Sequence, residues 1–412
     1  MMHARLSPRS ERVRALPYPF RGALAISNDV DYCRFEFFEA FMRFCNGSRP
    51  TPLGAGLGLE VTSSFFAFSV PERQFSYLAG LAPNAPASPE AARIGEYLAA
   101  GWIDANHAYG DFDGFGGFTR AHAERYFEIV ERHRGDTRVF INHGDSHNIQ
   151  CIGPGTAHHE GDRLGRPAYH ADLLRRYAPL FVTTSGHSVG HVTDLPQPLD
   201  GGERGRALLG RLRGRSRVAH PRNLIEPYSL QDGSRVVAFA RLRATGYNAP
   251  NLGSLGYQVE LIDFPSLYRF DGVVVLYQHW GVLHREAGRC EPATLAAVAA
   301  RPELLAPLRR LARERDEGRL WIAGVQRLLD YVVMLESTEV EEEPTTGAIR
   351  LRCELQPKDP TRFFQGLTLY VDPARPARVL YGEHDLPLAR NGPDHLGRYS
   401  VTIPMRPLEP IW

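Results

Sequence analysis

Five short apolar runs in this chain each give way to residues that can bind a metal or move a proton. Leu24–Ser27 leads into Asn28-Asp29-Val30-Asp31, and Trp102–Asn106 into His107-Ala108-Tyr109-Gly110-Asp111. Val139–Asn142 leads into His143-Gly144-Asp145, Phe181–Ser185 into Gly186-His187, and Val273–Gln278 into His279-Trp280-Gly281. Carboxylates and imidazoles are the ligands of catalytic divalent ions and the commonest general acids and bases. If the runs are parallel strands, the clusters all emerge at their carboxyl ends, the face on which α/β enzymes build sites.

Each cluster also has a plainer reading. Asp29 and Asp31 can ligate a cation or serve as a base, but Asn and Asp equally cap helices. His107 and Asp111 lie four residues apart around Gly110, which lets the chain fold Asp111 back toward the imidazole. With Asp29 they make a three-ligand site that leaves positions open for water and substrate; without an ion they are a hydrogen-bonded pair. Asp31 is then the candidate base. His279 ends the most apolar run and suits a general acid beside an apolar wall, or a satisfied core histidine. Asn142, His143 and Asp145 are candidates for holding sugar hydroxyls or orienting a ligand. Tyr109, Phe112, Phe115 and Trp280 can stack on a sugar ring or simply fill the core. His187 and His191 are a competing pair at metal-ligand spacing, while His158 and His159 sit in a glycine-rich loop and carry little weight.

These residues need a scaffold, and apolar runs alternate with helix-period segments. Helices are expected over Pro89–Gly101, Phe118–Arg134, Tyr169–Tyr177, Val325–Leu335 and parts of Pro292–Glu317. Such alternation predicts a parallel α/β body. No Gly-x-Gly-x-x-Gly turn follows the first strand, which favours a barrel over an open dinucleotide-binding sheet. Gly201–Arg217 reads as an exposed excursion. The acidic segment Glu336–Pro344 reads as a boundary, giving a body over 1–336 and a small β-sandwich-like domain over 337–412.

Composition excludes several functions. The 412 residues are 43% hydrophobic and 23% charged, as in a globular chain, and the net charge of +1 gives no pull toward nucleic acid. Lys358 is the only lysine, so there is no Walker-type phosphate loop and no Schiff-base lysine in the body. Five cysteines without a Cys-x-x-Cys pair argue against a disulfide framework or a zinc ribbon. The arginine-strewn N-terminus does not read as a signal peptide, and no run is long enough to span a bilayer, so a cytoplasmic location is expected.

Together the motifs resemble the polysaccharide deacetylase (NodB-homology) superfamily. Ala25-Ile26-Ser27-Asn28-Asp29 resembles its first motif, a strand ending in Thr-Phe-Asp-Asp-Gly. His107 and Asp111 match the spacing of its His-Ser/Thr-x-x-His motif, and His187-Ser188-x-x-His191 matches the letters. His279 is similar to its late catalytic histidine. The resemblance implies an incomplete (β/α) barrel over roughly residues 20 to 335. It also implies a Zn²⁺ (or Co²⁺, Ni²⁺ or Mn²⁺) site and removal of an acetyl group from an acetylated sugar or glycan intermediate. By this alignment Asp29 is the metal aspartate and Asn28 falls where the family has its base, with Asp31 as the substitute; the arginine-proline signature of the third motif is missing. Two rivals stand beside it: a glycoside hydrolase using Asp29 or Asp31 with Asp111, and a glycan-binding barrel without turnover.

Overall fold

A computed structural model describes residues 4–6, 8–153, 157–183, 224–239, 241–243, 249–286, 289–343 and 347–412. The expected pair His187 and His191 and the Gly201–Arg217 excursion lie outside the described residues. The body is built on eight parallel strands: β1 (Gly22–Asn28), β2 (Ser63–Phe65), β3 (Ile103–His107), β4 (Val139–Ile141), β5 (Phe181–Thr183), β6 (Arg235–Phe239), β7 (Gly272–Gln278) and β8 (Leu320–Ile322). They form two sheets. In one, β1 lies between β7 and β8, and Ala4–Arg5 adds antiparallel to β7; in the other, the order is β6-β5-β4-β3-β2, edged by antiparallel Ile225–Ser229. A parallel bridge between Leu242 and Leu276 joins the continuation of β6 to β7.

Alternation along these strands separates two buried layers, because successive side chains point to opposite faces. Leu24, Ile26, Phe140, Val182, Val274 and Leu276 belong to one cluster. It includes the apolar stripes of helices α1 (Phe35–Asn46), α2 (Ala91–Ala99) and α3 (Arg120–Arg132). Ala23, Ala25, Val139, Ile141, Phe181, Val273 and Val275 belong to the other. Burying both faces is what parallel strands require, and it explains their near-continuous apolar runs. The helix expected over Tyr169–Tyr177 shortens to Ala171–Leu174, since its neighbours turn back through Gly161 backbone contacts. Pro302 and Pro307 divide the next expected segment into Leu295–Ala299, a 3₁₀ turn at Pro302–Leu305, and α4 (Ala306–Asp316).

The segment after 337 forms short strands with turns, as its alternation predicts. Thr338–Glu342, Ile349–Cys353, Val379–Tyr381 and His384–Asp385 make one sheet. Thr368–Tyr370, Ser400–Thr402 and Ala389–Arg390 make another, and Val13–Arg14 from the start of the chain joins it. Ile349, Leu369 and Val401 share a buried cluster with Leu328, Val332 and Leu335 of α5 (Val325–Ser337) and with strand residues of the body. Among the described residues no helix is long and apolar enough to cross a membrane.

The amino ends of the strands hold α5. Its N-cap is Gly324, which has no side chain, so its first N–H groups need acceptors from elsewhere. Glu60 accepts from Gly324 N at 3.2 Å, Thr62 Oγ1 from Val325 N at 3.0 Å, and Asp104 Oδ2 from Gln326 N at 3.0 Å. Burial pushes the Asp104 carboxyl up to about 7, against the hydrogen bonds from Gln326 and Thr62. The unfolded chain gives up this proton at lower pH, so this group's contribution to stability falls as pH rises from about 4 to 7. Asp104→Asn keeps an acceptor for Gln326 and removes the buried charge. It should stabilise the chain at about pH 8 by roughly 1–3 kcal/mol and do little near pH 4, read by urea denaturation at both values. Equal effects at the two pH values would refute the raised carboxyl.

Candidate metal centre

At the opposite ends of the strands, the layer that carries Ala25 and Val275 continues into polar residues of the same parity. Ala25 is followed by Ser27 and Asp29, Ala105 by His107, Ile141 by His143, and Val275 by Tyr277 and His279. A period of two therefore aims these side chains at one place. Neighbouring loops hold the registry. Asn28 donates to Ser63 Oγ at 2.8 Å and accepts from Trp280 N at 2.9 Å, tying β1 to β2 and to the loop after β7. A Cβ on Gly281 would lie 2.6 Å from the Cys33 backbone, so the loop bearing His279 packs directly on the loop bearing Asp31. After His107 the chain reverses through Ala108 and Tyr109, both at positive φ (44° and 63°), and Asn106 Oδ1 accepts from Tyr109 N at 2.7 Å. Left-handed backbone at non-glycine residues is costly and concentrates at functional sites.

Asp31 is the centre of the arrangement. Its carboxylate lies 3.5 Å from His143 Nδ1, 3.9 Å from His107 Nδ1 and 3.4 Å from His279 Nε2. Burial alone would raise its carboxyl, but His143, His107 and His279 hold it well below the usual carboxylate range. Burial takes His107 down to about 4, although Asp29 and Asp31 pull the other way. Burial also opposes charge on His143, yet Asp31, Asp111 and Asp113 raise it to about 10. The Phe66 ring lies flat on His107 at 4.5 Å between centroids and fixes the imidazole plane.

Among the described residues, three groups of side chains bring their ligand atoms close enough together to hold a metal ion: Asp31–His107–His143, Asp29–Asp31–His279 and Asp111–Asp113–His143. The first contains atoms left without a hydrogen-bond partner among the described residues. Asp31 Oδ2 and His107 Nδ1 are buried with no hydrogen-bond partner. Ligands about 2.1 Å from a tetrahedral ion stand about 3.4 Å from one another, near the separations seen here. In the third group Asp111 is already committed: Arg73 Nη1 and Gln74 Nε2 donate to its Oδ2 at 2.8 and 2.7 Å, and Asp113 N to its Oδ1 at 3.0 Å. Burial would raise Asp111, but His143, Arg73 and Gln74 bring it to about 2.

The expected trio of Asp29, His107 and Asp111 is thus not the set that closes. Asp29 Oδ2 lies 3.7 Å from His107 Nε2, but Asp111 stands with His143 instead, 3.3 Å from its Nε2. His143, expected to touch substrate, stands instead with Asp31 and His107, and Asp111 lies against its other ring nitrogen, where a carboxylate often stands behind a ligating histidine. Asn28, expected at the base position, has its amide engaged by Ser63 Oγ and Trp280 N. Asn142 is likewise spent, donating to Ile152 O and Thr183 O and accepting from Ile152 N. Tyr109 and Trp280 are buried, Tyr109 stacked on Phe118 and Trp280 packed on Phe41, so neither offers a face to a sugar. Phe112 is buried too, whereas Phe115 is 57% exposed with Arg73 over its ring. Asp145 lies at the rim, where it accepts from Gly114 N and His147 N.

Arg241 went unread in the sequence. Its Nη1 lies 3.3 Å from Asp29 Oδ1 and 3.3 Å from Ser27 Oγ, and its guanidinium packs 3.8 Å from the Tyr277 ring centroid. An isolated arginine amid forty-six others carries no local signal; only its Phe239-to-Arg241 parity could have pointed to it. A cavity of about 590 Å³ lies at the amino ends of the strands, lined by Asp104, Arg138 and Asp330 among others, and includes none of the clustered histidines. Family models, curated proteins and solved structures were compared with the chain, and none matches.

Alanine at Asp31, His107 or His143 should each abolish stoichiometric binding of a divalent ion, measured by metal analysis after dialysis. Asp111→Ala should keep the ion but weaken it about 10- to 100-fold, because only the orienting contact is lost. Full metal content in Asp31→Ala would move the ion elsewhere.

Proposed function

We propose that the chain is a divalent-metal hydrolase that removes an acetyl group from an acetylated carbohydrate, on an incomplete (β/α) barrel. The observation that carries this reading is the meeting of three functions at one mouth: the unsatisfied Asp31–His107–His143 set, the Asp29–Arg241 pair and His279. Eight parallel strands in two sheets, linked at Leu242–Leu276 and by Asn28 to Ser63, support the barrel.

The donor set of two imidazoles and one carboxylate suits Zn²⁺, and Co²⁺, Ni²⁺ or Mn²⁺ after it. When bound there, the ion would polarise the acyl carbonyl and acidify a water. The remaining roles belong to the chain. Asp29 accepts the proton of the attacking water at Oδ2, the oxygen that faces His107, while Arg241 fixes the carboxylate against rotation. This exchanges the parts expected for the two aspartates: Asp31 ligates and Asp29 is the base. His279 Nδ1 donates to Pro250 O at 2.8 Å, since a carbonyl can only accept. Its Nε2 is therefore the nitrogen free to exchange a proton, and it hands one to the departing amine or alkoxide.

Asn28 no longer weighs against turnover, because its amide is a brace and a base stands beside it. Asp111, which glycoside hydrolysis would pair with Asp29 or Asp31, is instead braced by Arg73 and Gln74 and faces His143, which favours the metal reading over glycoside hydrolysis.

With one equivalent of Zn²⁺ the purified chain should release acetate from N- or O-acetylated sugars. Asp29→Asn and His279→Gln should each lower kcat by about 10²- to 10⁴-fold while metal content stays stoichiometric. No acetate from the wild type with any of the four metals would end the hydrolase reading.

A further inference from the structure

Arg243 is a cation at this site that no carboxylate answers among the described residues. Arg241 and Arg243 share a face of the extended segment that continues β6, being two residues apart. Leu242 fixes that face: its N–H donates to Val275 O, and Tyr277 N donates to Leu242 O, in parallel pairing with β7. Both guanidinium groups consequently meet the Tyr277 ring, at 3.8 and 5.5 Å from its centroid. Their circumstances then diverge. Arg241 is paired with Asp29. Arg243 has no carboxylate partner among the described residues, and its Nε is shut away from solvent with no acceptor.

A charged donor left unsatisfied in this way is costly, and native structures rarely tolerate one without a ligand, ion or water to complete it. The location says which. Tyr277 lies 5.0 Å from the His279 ring, and His279 faces Asp31, so Arg243 stands one aromatic ring from the reacting groups. Asp29 and Asp31 both act on the Tyr277 phenol, as do the two arginines. The other cation near the mouth, Arg73, is spent on Asp111 and on Asp113 O.

We propose that Arg243 docks an anionic substituent, a phosphate or a carboxylate, on the acetylated sugar that the site acts on. This rests on the hydrolase reading above and makes its substrate an acidic sugar rather than a neutral one. A planar guanidinium meets two oxygens of either group at once, which neither Lys nor Gln reproduces.

Calorimetric titration of the zinc-loaded and the metal-free chain with N-acetylglucosamine, its 1-phosphate and N-acetylmuramate tests this directly. One of the two acidic sugars should bind at least about tenfold more tightly than the neutral one, and which one it is separates phosphate from carboxylate. Arg243→Gln should bring that ratio to about one, and Arg243→Lys should retain part of it. The melting temperature of both variants should stay close to the wild type, since among the described residues Arg243 has no carboxylate to give up and only the Tyr277 ring contact is altered. Equal affinity for all three sugars, or a preference that survives in Arg243→Gln, overturns the proposal. Acetate release from the same samples reads the hydrolase separately: a preference for an acidic sugar without release would sustain the docking role and remove the catalytic one.

Discussion

A single buried carboxylate, Asp31, faces three imidazoles, and the architecture of the strand ends follows from keeping it there. Burying an anion is expensive unless charge or hydrogen bonds answer it. Here the answer comes from His107, His143 and His279, carried by three strands far apart in sequence. None of the three can turn away without exposing the others to an uncompensated charge. The left-handed residues Tyr32, Ala108 and Tyr109 follow directly on Asp31 and His107, so the backbone is bent most where the side chains must converge.

Carboxylates at the other end of the strands, one half-buried and one buried, are built differently. Asp330 accepts two hydrogen bonds from Arg138, and Asp104 receives the first turn of α5 together with Thr62. Those groups sit at the amino ends of the strands and hold helix to sheet. Asp104 Oδ1 at that end, and Asp31 Oδ2 and His107 Nδ1 at the carboxyl ends, have no hydrogen-bond partner among the described residues. What sets the carboxyl ends apart is that the carboxylate there stands among imidazoles whose nitrogens are close enough to share an ion with it.

The arginines show the same division. In a chain with one lysine, guanidinium groups do nearly all the cationic work. Arg138 clamps Asp136 and Asp330, Arg73 braces Asp111, and Arg241 holds Asp29. A guanidinium suits these buried tasks because it is weakly hydrated and offers several donors in a fixed plane. Arg243 offers the same chemistry with no carboxylate partner among the described residues.

The alternation of apolar runs and helical periods, the ends of β1, β3, β4 and β7, and the positions of Asp29, Asp31, His107, His143 and His279 were all legible in the sequence. These are local properties: a strand's period of two and a polar residue just beyond its end need no knowledge of neighbours. Which aspartate meets which histidine was not legible. Spacing joined His107 to Asp111, four residues away, but strand order set His143, just past the end of β4, beside the end of β3, and the turn at Ala108–Tyr109 carried Asp111 to that imidazole's far side. Tyr109 and Trp280 look alike in sequence whether they face a ligand or the core, because burial is decided by what packs above them. Arg241 and Arg243 became site residues only through the pairing of Leu242 with Leu276 across a long stretch of chain. Residue type and local period determined what chemistry was possible; only the lateral order of the strands determined which atoms would come within reach of one another.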